Sequence, residues 1–399
     1  MGGTGPDENI IVLAFQQISG NFYTIQYAIL QNSNGTYVNQ TPLLSTLYTE
    51  QSDSYSTNAN PNIALGNSEL GTIYNFVVTF ERKNGSTAGI NWIYGEMYAN
   101  GVYPTSQILG PVWVNGTLSN CVNATVNMNK NLQSADYGDF DIVYEQDVAS
   151  HTSSIIDVIM NCQYINNSWS YERFPSRTLS SGTGRANYKP SMVQMPDATI
   201  QVSWIRDEMG DPVNAPYDVN VVYWNEAYPS QYTGSGFKAQ SVSLNVRDDN
   251  ARTFYAWSDI NPSGGNNLQN HLSSSSTTVP LSTQGRDVQL SNGPVDGAGN
   301  TNMYTSVFYP LTMPYYFQSA GRIGTLLRKT SGHPMTYGRG VVLGGDSLHF
   351  SYSLRSLTVD NSNIKFVEIP QTKTDTTNHV TKRNISFLQI DSLNTVLLS

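Results

Sequence analysis

In a chain with few charges, the segments where charges gather are the first place to look for chemistry. Charged residues make up 13% of this 399-residue sequence, about half the usual share. Some of them fall in five polar segments between apolar runs: Gln16–Asn21, Arg82–Gly89, Glu145–Ser153, Arg206–Pro216 and Asp259–Asn270. These segments carry Arg82, Lys83, Asp147, His151, Arg206, Asp207, Glu208, Asp211 and Asp259, with His271 just beyond. Asp207 and Glu208, facing Asp147 or Asp259, would supply the two carboxyls of a glycoside hydrolase. Such a pair acts at separations of about 5–5.5 Å or 6.5–9.5 Å, with one pKa raised. Asp also caps the backbone at turn corners, which is its ordinary role there.

Other chemistries are poorly supported. Asp136, Asp139 and Asp141 (ADYGDFD) form an acidic cluster entering a strand, with oxygen ligands that suit Ca²⁺. The spacing is not that of an EF-hand, and solvated turn carboxylates are the plainer expectation. The five His (151, 271, 333, 349 and 379) are never paired at HxH or HxxxH spacing, which argues against zinc. No GxSxG, P-loop or dinucleotide fingerprint appears, so no cofactor is expected. Trp92, Trp113, Trp169 and Trp224 offer flat faces for sugar rings, although core filling is the commoner use of such residues.

The elements that position these residues are short alternating strands. Asn187–Tyr228 shows one unit: an apolar strand over Lys189–Met195, a turn at Asp197, an alternating strand Thr199–Trp204, a long turn, then a third strand Asp218–Trp224. The unit recurs. Aromatic residues end the second strand at Phe15, Phe80, Tyr144, Trp204, Trp257 and Phe308, with spacings of 65, 64, 60, 53 and 51 residues. First strands precede them at Pro61–Leu65, Cys121–Met128, Pro190–Met195, Ala239–Val246 and Asp287–Leu290, while the first unit shows none ahead of Ile10. A period of 50–65 residues holding about four strands marks propeller blades. Stacked blades bury faces that a lone sheet leaves wet, with the anchor aromatic filling the space between.

The fold expected is therefore all-β: a β-propeller of about six four-stranded blades over residues 1–320, or seven if upstream residues are missing. A small β-sandwich-like domain follows over 321–399, with Pro370–Thr381 as a linker or long loop. A pair of β-sandwiches is the alternative.

Composition narrows the partners. Ser, Thr, Asn, Gln and 25 Tyr replace charge, and the net charge is −9. No Lys/Arg cluster exists to meet nucleic acid or an anionic membrane. No apolar run approaches the ~20 residues of a spanning helix, so membrane insertion is not expected. The start, MGGTGPDEN, is no signal peptide, and a mature secreted or surface region is the favoured reading. Cys121 and Cys162 fall on first and third strands, roughly 9–10 Å apart, too far for a bridge, so two free buried thiols are expected. Sequons stand at Asn34, Asn39, Asn84, Asn115, Asn123, Asn166 and Asn384.

The blade unit SMVQMPDATIQVSWIRDEMG…YDVNVVYW and the tail LHFSYSLRSLTVDNSNIKFVEIP resemble secreted bacterial β-propeller proteins with a small C-terminal β domain, some exported by the type IX route. That resemblance implies a surface location and glycan binding. A strict sialidase Asp-box, SxDxGxTW, is absent, which argues against that branch. The leading expectation is a non-enzymatic binding module for a carbohydrate or a surface protein, with Arg82, Asp147, His151, Arg206, Asp207, Trp224 and Asp259 in the binding face. A propeller hydrolase or lyase using Asp147, Asp207, Glu208 and Asp259 is the second, and a structural surface component the third.

Overall fold

A computed structural model describes residues 10–19, 22–33, 36–39, 45–51, 57–66, 73–84, 87–98, 108–116, 119–129, 137–149, 152–180, 186–194 and 200–207. Beyond these it describes 217–223, 230–231, 238–246, 253–260, 266–272, 279–282, 286–295, 301–311, 320–329, 336–337, 356–358, 365–375, 380–390 and 396–398. Side chains are described mainly between Asn60 and Arg206. Among the described residues the chain is all strand and turn, and no helix is long and apolar enough to cross a membrane. The chain packs as two units, one essentially Met1–Trp204 and the other dominated by Ser230–Ser399.

The first unit begins with β1 (Ile10–Ser19), β2 (Phe22–Ser33), β3 (Thr36–Asn39) and β4 (Ser45–Gln51). Here β2 pairs with β1 on one side and with β3 and β4 on the other. The second sheet is the meander β5 (Thr57–Leu65), β6 (Ile73–Asn84), β7 (Thr87–Tyr98) and β8 (Ile108–Trp113). The third is β9 (Cys121–Met128), β10 (Tyr137–Ala149) and β11 (Thr152–Ile165), with β12 (Ser168–Arg173) and β13 (Arg177–Ser180) sharing the far edge of β11. A further meander opens with β14 (Asn187–Gln194) and β15 (Ile200–Asp207).

Strand alternation explains why these sheets stack. Successive side chains point to opposite faces, and both faces of β6 are apolar. Phe76, Val78 and Phe80 join Ile25 and Tyr27 of the first sheet, while Val77 joins Trp92, Tyr94 and the Phe140, Ile142 and Tyr144 face of the third. The opposite face of the third sheet gives Val143 and Ile155 to Ile200, Val202 and Trp204. Phe80, Tyr144 and Trp204 are fully buried, and each faces the preceding sheet. Each such ring removes about 150–250 Å² from water, worth about 4–6 kcal/mol at ~25 cal/mol per Å².

The leading strand of each meander lies across the sheet before it. β5 packs on β1 and β2, β9 on β5, β6 and β7, and β14 on β9, β10 and β11. Each of these leading strands carries one residue in the left-handed region: Asn60 (φ 50°), Asn123 (φ 53°) and Lys189 (φ 49°). In β5 and β9 the ladder slips at that point, as a β-bulge does.

The second unit repeats the pattern. β16 (Tyr217–Tyr223) pairs through Asn220 and Val221 with β17 (Ser230–Gln231). Antiparallel meanders follow: β18 (Lys238–Val246), β19 (Thr253–Ile260), β20 (Asn266–Leu272) and β21 (Val279–Ser282), where β18 also pairs in parallel with β16 at Tyr217↔Lys238; then the four-stranded β22 (Arg286–Val295), β23 (Thr301–Leu311), β24 (Ala320–Lys329) and β25 (Thr336–Tyr337); then the four-stranded β26 (Ser356–Thr358), β27 (Lys365–Asp375), β28 (Val380–Ile390) and β29 (Val396–Leu398). Again β22 lies across β18, β19 and β20. Meanders stacked this way are propeller-type blades.

Three expectations change. The polar segments read as turns are largely ladder. Pairing continues to Ser19↔Phe22, Asn84↔Thr87, Ala149↔Thr152 and Ile260↔Asn266. Arg82, Lys83, Asp147, Arg206, Asp207, Asp259 and His271 are therefore strand residues. An antiparallel hairpin keeps pairing while its register holds, and a charged side chain on one face does not end it. Asp139 and Asp141 likewise stand within β10 and are not turn carboxylates. Pro370–Thr381 is no linker: most of it forms paired arms of β27 and β28, where alternating Thr suits a pleated surface.

Candidate functional site

Strand β10 reads YGDFDIVYEQDVA. Its even positions, Phe140, Ile142 and Tyr144, enter the core shared with the second sheet. Its odd positions therefore present Asp139, Asp141, Val143 and Glu145 to the opposite face. Register with β11 sets Asp139 opposite Asn161, Asp141 opposite Ile159 and Val143 opposite Asp157. Asp157 also faces Arg177 on β13, with Nε 3.8 Å from Oδ2. One sheet face thus gathers Asp139, Asp141, Asp157, Asn161 and Arg177.

Burial governs the electrostatics. Asp157 is 1% exposed and Asp141 7%, while Asp139 is only partly buried. Burial pushes the Asp141 carboxyl well above the usual carboxylate range; Asp157 and Asp139 add to the rise and Arg177 opposes it. Asp157 is raised to about 6 by burial, with Arg177 and the Val158 N–H pulling it back. Asp139 is raised to about 6 by burial. Among the described residues one guanidinium, that of Arg177, meets these three carboxyls, and burial favours keeping a proton on Asp141. A protonated carboxyl beside an ionised one is an acid–base pair. Asp139 and Asp141 are two residues apart on one strand face, so their Cα atoms stand about 6.5 Å apart by strand rise.

A second polar set links the sheets. Glu81 Oε1 accepts a hydrogen bond from the Asn123 backbone N–H at 2.8 Å, and Glu81 Oε2 lies 3.4 Å from Lys83 Nζ. Asn123 Nδ2 donates to Glu145 Oε2 at 2.8 Å, and the Lys189 N–H donates to the same oxygen at 3.4 Å. Arg82 is buried, with its guanidinium 5.0 Å from the Trp113 ring. That stacking holds the Arg82 side chain against strand β8 of its own sheet.

The residues expected at the site are placed as follows. Asp147 sits on β10 opposite Ser153, at a bulge. Arg206 and Asp207 end β15, and Asp259 pairs with Asn267 on β19. The side chains of Asp147, Asp207 and Asp259 are not among those described, and His151, Glu208, Trp224 and Asp136 lie outside the described residues. Trp92 and Trp169 are buried and face Phe140, Tyr171, Tyr94 and Tyr164 edge-on or tilted. They are core, as volume of that size usually is. Asp157, Arg177 and Asn161 were missed because each lies in an apolar or neutral run, and only strand register brings them to Asp141. Among the described residues, no group of three or more His, Cys, Asp or Glu is arranged to hold a metal ion.

Fold and site together define an all-β protein with propeller-type blades and a buried acidic face. No protein-family model and no curated protein matches the chain. Among solved structures it is similar to a protein of unknown function from Dyadobacter fermentans, at 8% identity and a TM-score of 0.48 over 83% of this chain and 93% of that one. It is similar to the α-L-arabinanase of Penicillium chrysogenum, at 11% identity and a TM-score of 0.49 over 85% and 94%. It is also similar to the intramolecular trans-sialidase of Ruminococcus gnavus, at 9% identity and a TM-score of 0.42 over 98% and 94%.

Proposed function

We propose that this chain is a secreted or surface carbohydrate-acting protein that cleaves glycosidic bonds with Asp139 and Asp141. The observation that supports this is the pairing of two carboxyls with different environments on one strand face. Asp141, the more deeply buried, keeps its proton and serves as general acid. Asp139, partly exposed, ionises first and activates water. Inverting hydrolysis needs carboxyls about 6.5–9.5 Å apart, with a water between base and sugar, and the Cα atoms of this pair stand about 6.5 Å apart by strand rise. Burial, and then the like charges of Asp157 and Asp139, hold the proton on Asp141, while Arg177 partly offsets the rise at Asp157. The similar structures, at 8–11% identity, concern the fold, and the carboxyl pair alone supports the activity.

The test is zymography of the purified chain in gels containing a panel of polysaccharides. Clearing by the wild type and its loss in Asp139→Asn and Asp141→Asn, with melting no lower than that of the wild type, is the expected result. Clearing that survives both substitutions sinks the assignment. Retardation without clearing would favour a second reading, a binding module. The observation behind it is the pair of exposed rings Tyr171 (47% exposed) and Phe174 (40%), with Tyr171 held edge-on against Trp92 at 5.2 Å. A ring fixed in this way stacks on a sugar without losing further freedom.

A further inference from the structure

The sequons differ sharply in what their asparagines do. Asn115 is engaged in its surroundings: its Oδ1 accepts from Tyr144 Oη at 2.7 Å and Arg173 Nη2 at 3.3 Å, and its Nδ2 donates to Ser119 Oγ at 3.0 Å. Asn123 Nδ2 is held by Glu145. Asn166, in Asn166–Asn167–Ser168, is exposed at the two-residue turn joining β11 to β12, closed by the pair Ile165↔Ser168. Both turn residues are left-handed, with φ of 54° and 62°, as a type I′ hairpin requires. Asn166 therefore stands at the tip of a narrow hairpin where an enzyme can reach it.

A second observation lies beside it. β12 is the edge of its sheet along Met160–Ile165, and the neighbourhood leaves Ile165 51% exposed with Tyr171 and Phe174. An exposed edge with apolar side chains invites pairing with another chain, and proteins cover or blunt such edges.

We propose that Asn166 is an acceptor for an N-linked glycan, which shields this edge. The reading rests on the secreted or surface location proposed above. In the transfer, Asn166 Nδ2 bonds to C1 of an oligosaccharide carried on a polyprenyl diphosphate. The C1–O bond to the diphosphate breaks, polyprenyl diphosphate leaves with the electron pair, and one amide proton passes to a base of the transferase.

The full chain should be expressed behind a cleavable secretion signal in a host with an oligosaccharyltransferase, and the secreted, folded fraction mapped by peptide mass before and after glycosidase digestion. A glycan on Asn166, lost in both Asn166→Gln and Ser168→Ala, with Asn115 and Asn123 bare, is the expected result. Ser168→Ala should melt like the unglycosylated wild type and Asn166→Gln somewhat lower, because its backbone stays left-handed, and both should aggregate sooner than the glycosylated protein. An unmodified Asn166 in the secreted protein overturns the proposal, as does equal occupancy at Asn115 or Asn123. The natural location is read separately by fractionating the source cells with an antibody, so failure of either idea is distinguishable.

Discussion

Glu81 on β6 accepts a hydrogen bond from the backbone N–H of Asn123, 42 residues further on, at 2.8 Å. Glu145 on β10 repeats the arrangement with the N–H of Lys189, 44 residues on, at 3.4 Å. In both cases the glutamate follows a buried aromatic anchor, and the acceptor meets the left-handed residue of the next leading strand. The aromatic fills the gap behind the strand, and the carboxylate clips the strand in front. The second and third sheets are thus each tied to both neighbours by adjacent residues.

That link predicts a graded response. Glu81→Ala leaves the Asn123 N–H without this acceptor, and should cost about 1–3 kcal/mol. Asn123→Gly keeps the left-handed backbone but loses the bond to Glu145. Asn123→Ala adds the strain of a left-handed alanine, about 1–2 kcal/mol. Urea denaturation should rank the three proteins wild type, Asn123→Gly, Asn123→Ala in falling stability. Equal midpoints for the last two would remove the backbone argument.

The acidic face predicts stability that falls as pH rises. Asp157 is raised from 3.8 to about 6, so the unfolded chain releases its proton first. The folded state then holds more protons, and stability is lost between about pH 4 and 6. At 1.36 kcal/mol per pH unit the loss is about 3 kcal/mol for this group. Asp141, whose carboxyl burial also pushes well above the usual carboxylate range, acts in the same direction. Asp157→Asn and Asp141→Asn should flatten the curve of unfolding free energy between pH 4.5 and 7.5, and both should be at least as stable as wild type at the upper end. A wild-type curve that rises over this interval contradicts the reading.

The same pair predicts a bell-shaped activity profile. Asp139, raised to about 6, must be ionised and Asp141 protonated. Hydrolysis should climb through about pH 6 and decline once Asp141 releases its proton. Proton NMR of the first sugar released should show the inverted anomer, and a retained anomer would place the nucleophile elsewhere.

Gly138 and Tyr94 should not behave independently. A Cβ on Gly138 would stand 2.6 Å from Tyr94 Cζ, in a core where Tyr94 stacks on Phe140 at 5.8 Å. Gly138→Ala should cost about 1–3 kcal/mol by overpacking. On a Tyr94→Leu background the same change should cost far less, and a double-mutant cycle with no coupling would refute the contact.

Cys121 and Cys162 are free and buried in one core. Burial, and then Asp139, push the Cys162 thiol far up. A thiol reagent at neutral pH should label neither in the native protein and both in guanidinium. Labelling of Cys162 under native conditions would show that this core opens.

Strand positions were legible because alternation is a local signal. Cys121–Met128 is a strand to the residue as read, and Phe80, Tyr144 and Trp204 fill the spaces assigned to them. The two thiols followed from strand order alone. Turn lengths were not legible, because Arg82 or Asp147 looks the same whether the ladder continues past it or stops. Nor could composition tell that Asn115 and Asn123 spend their amides on Tyr144, Arg173 and Glu145, while Asn166 is exposed at a hairpin tip. Above all, the sequence determined that β10 would turn Asp139, Asp141 and Glu145 to one side, since period two does that for any strand. Only tertiary structure decided that Asp157 and Arg177 meet them there. Register and stacking are set by contacts between distant residues, and burial between sheets is what raises those carboxyls.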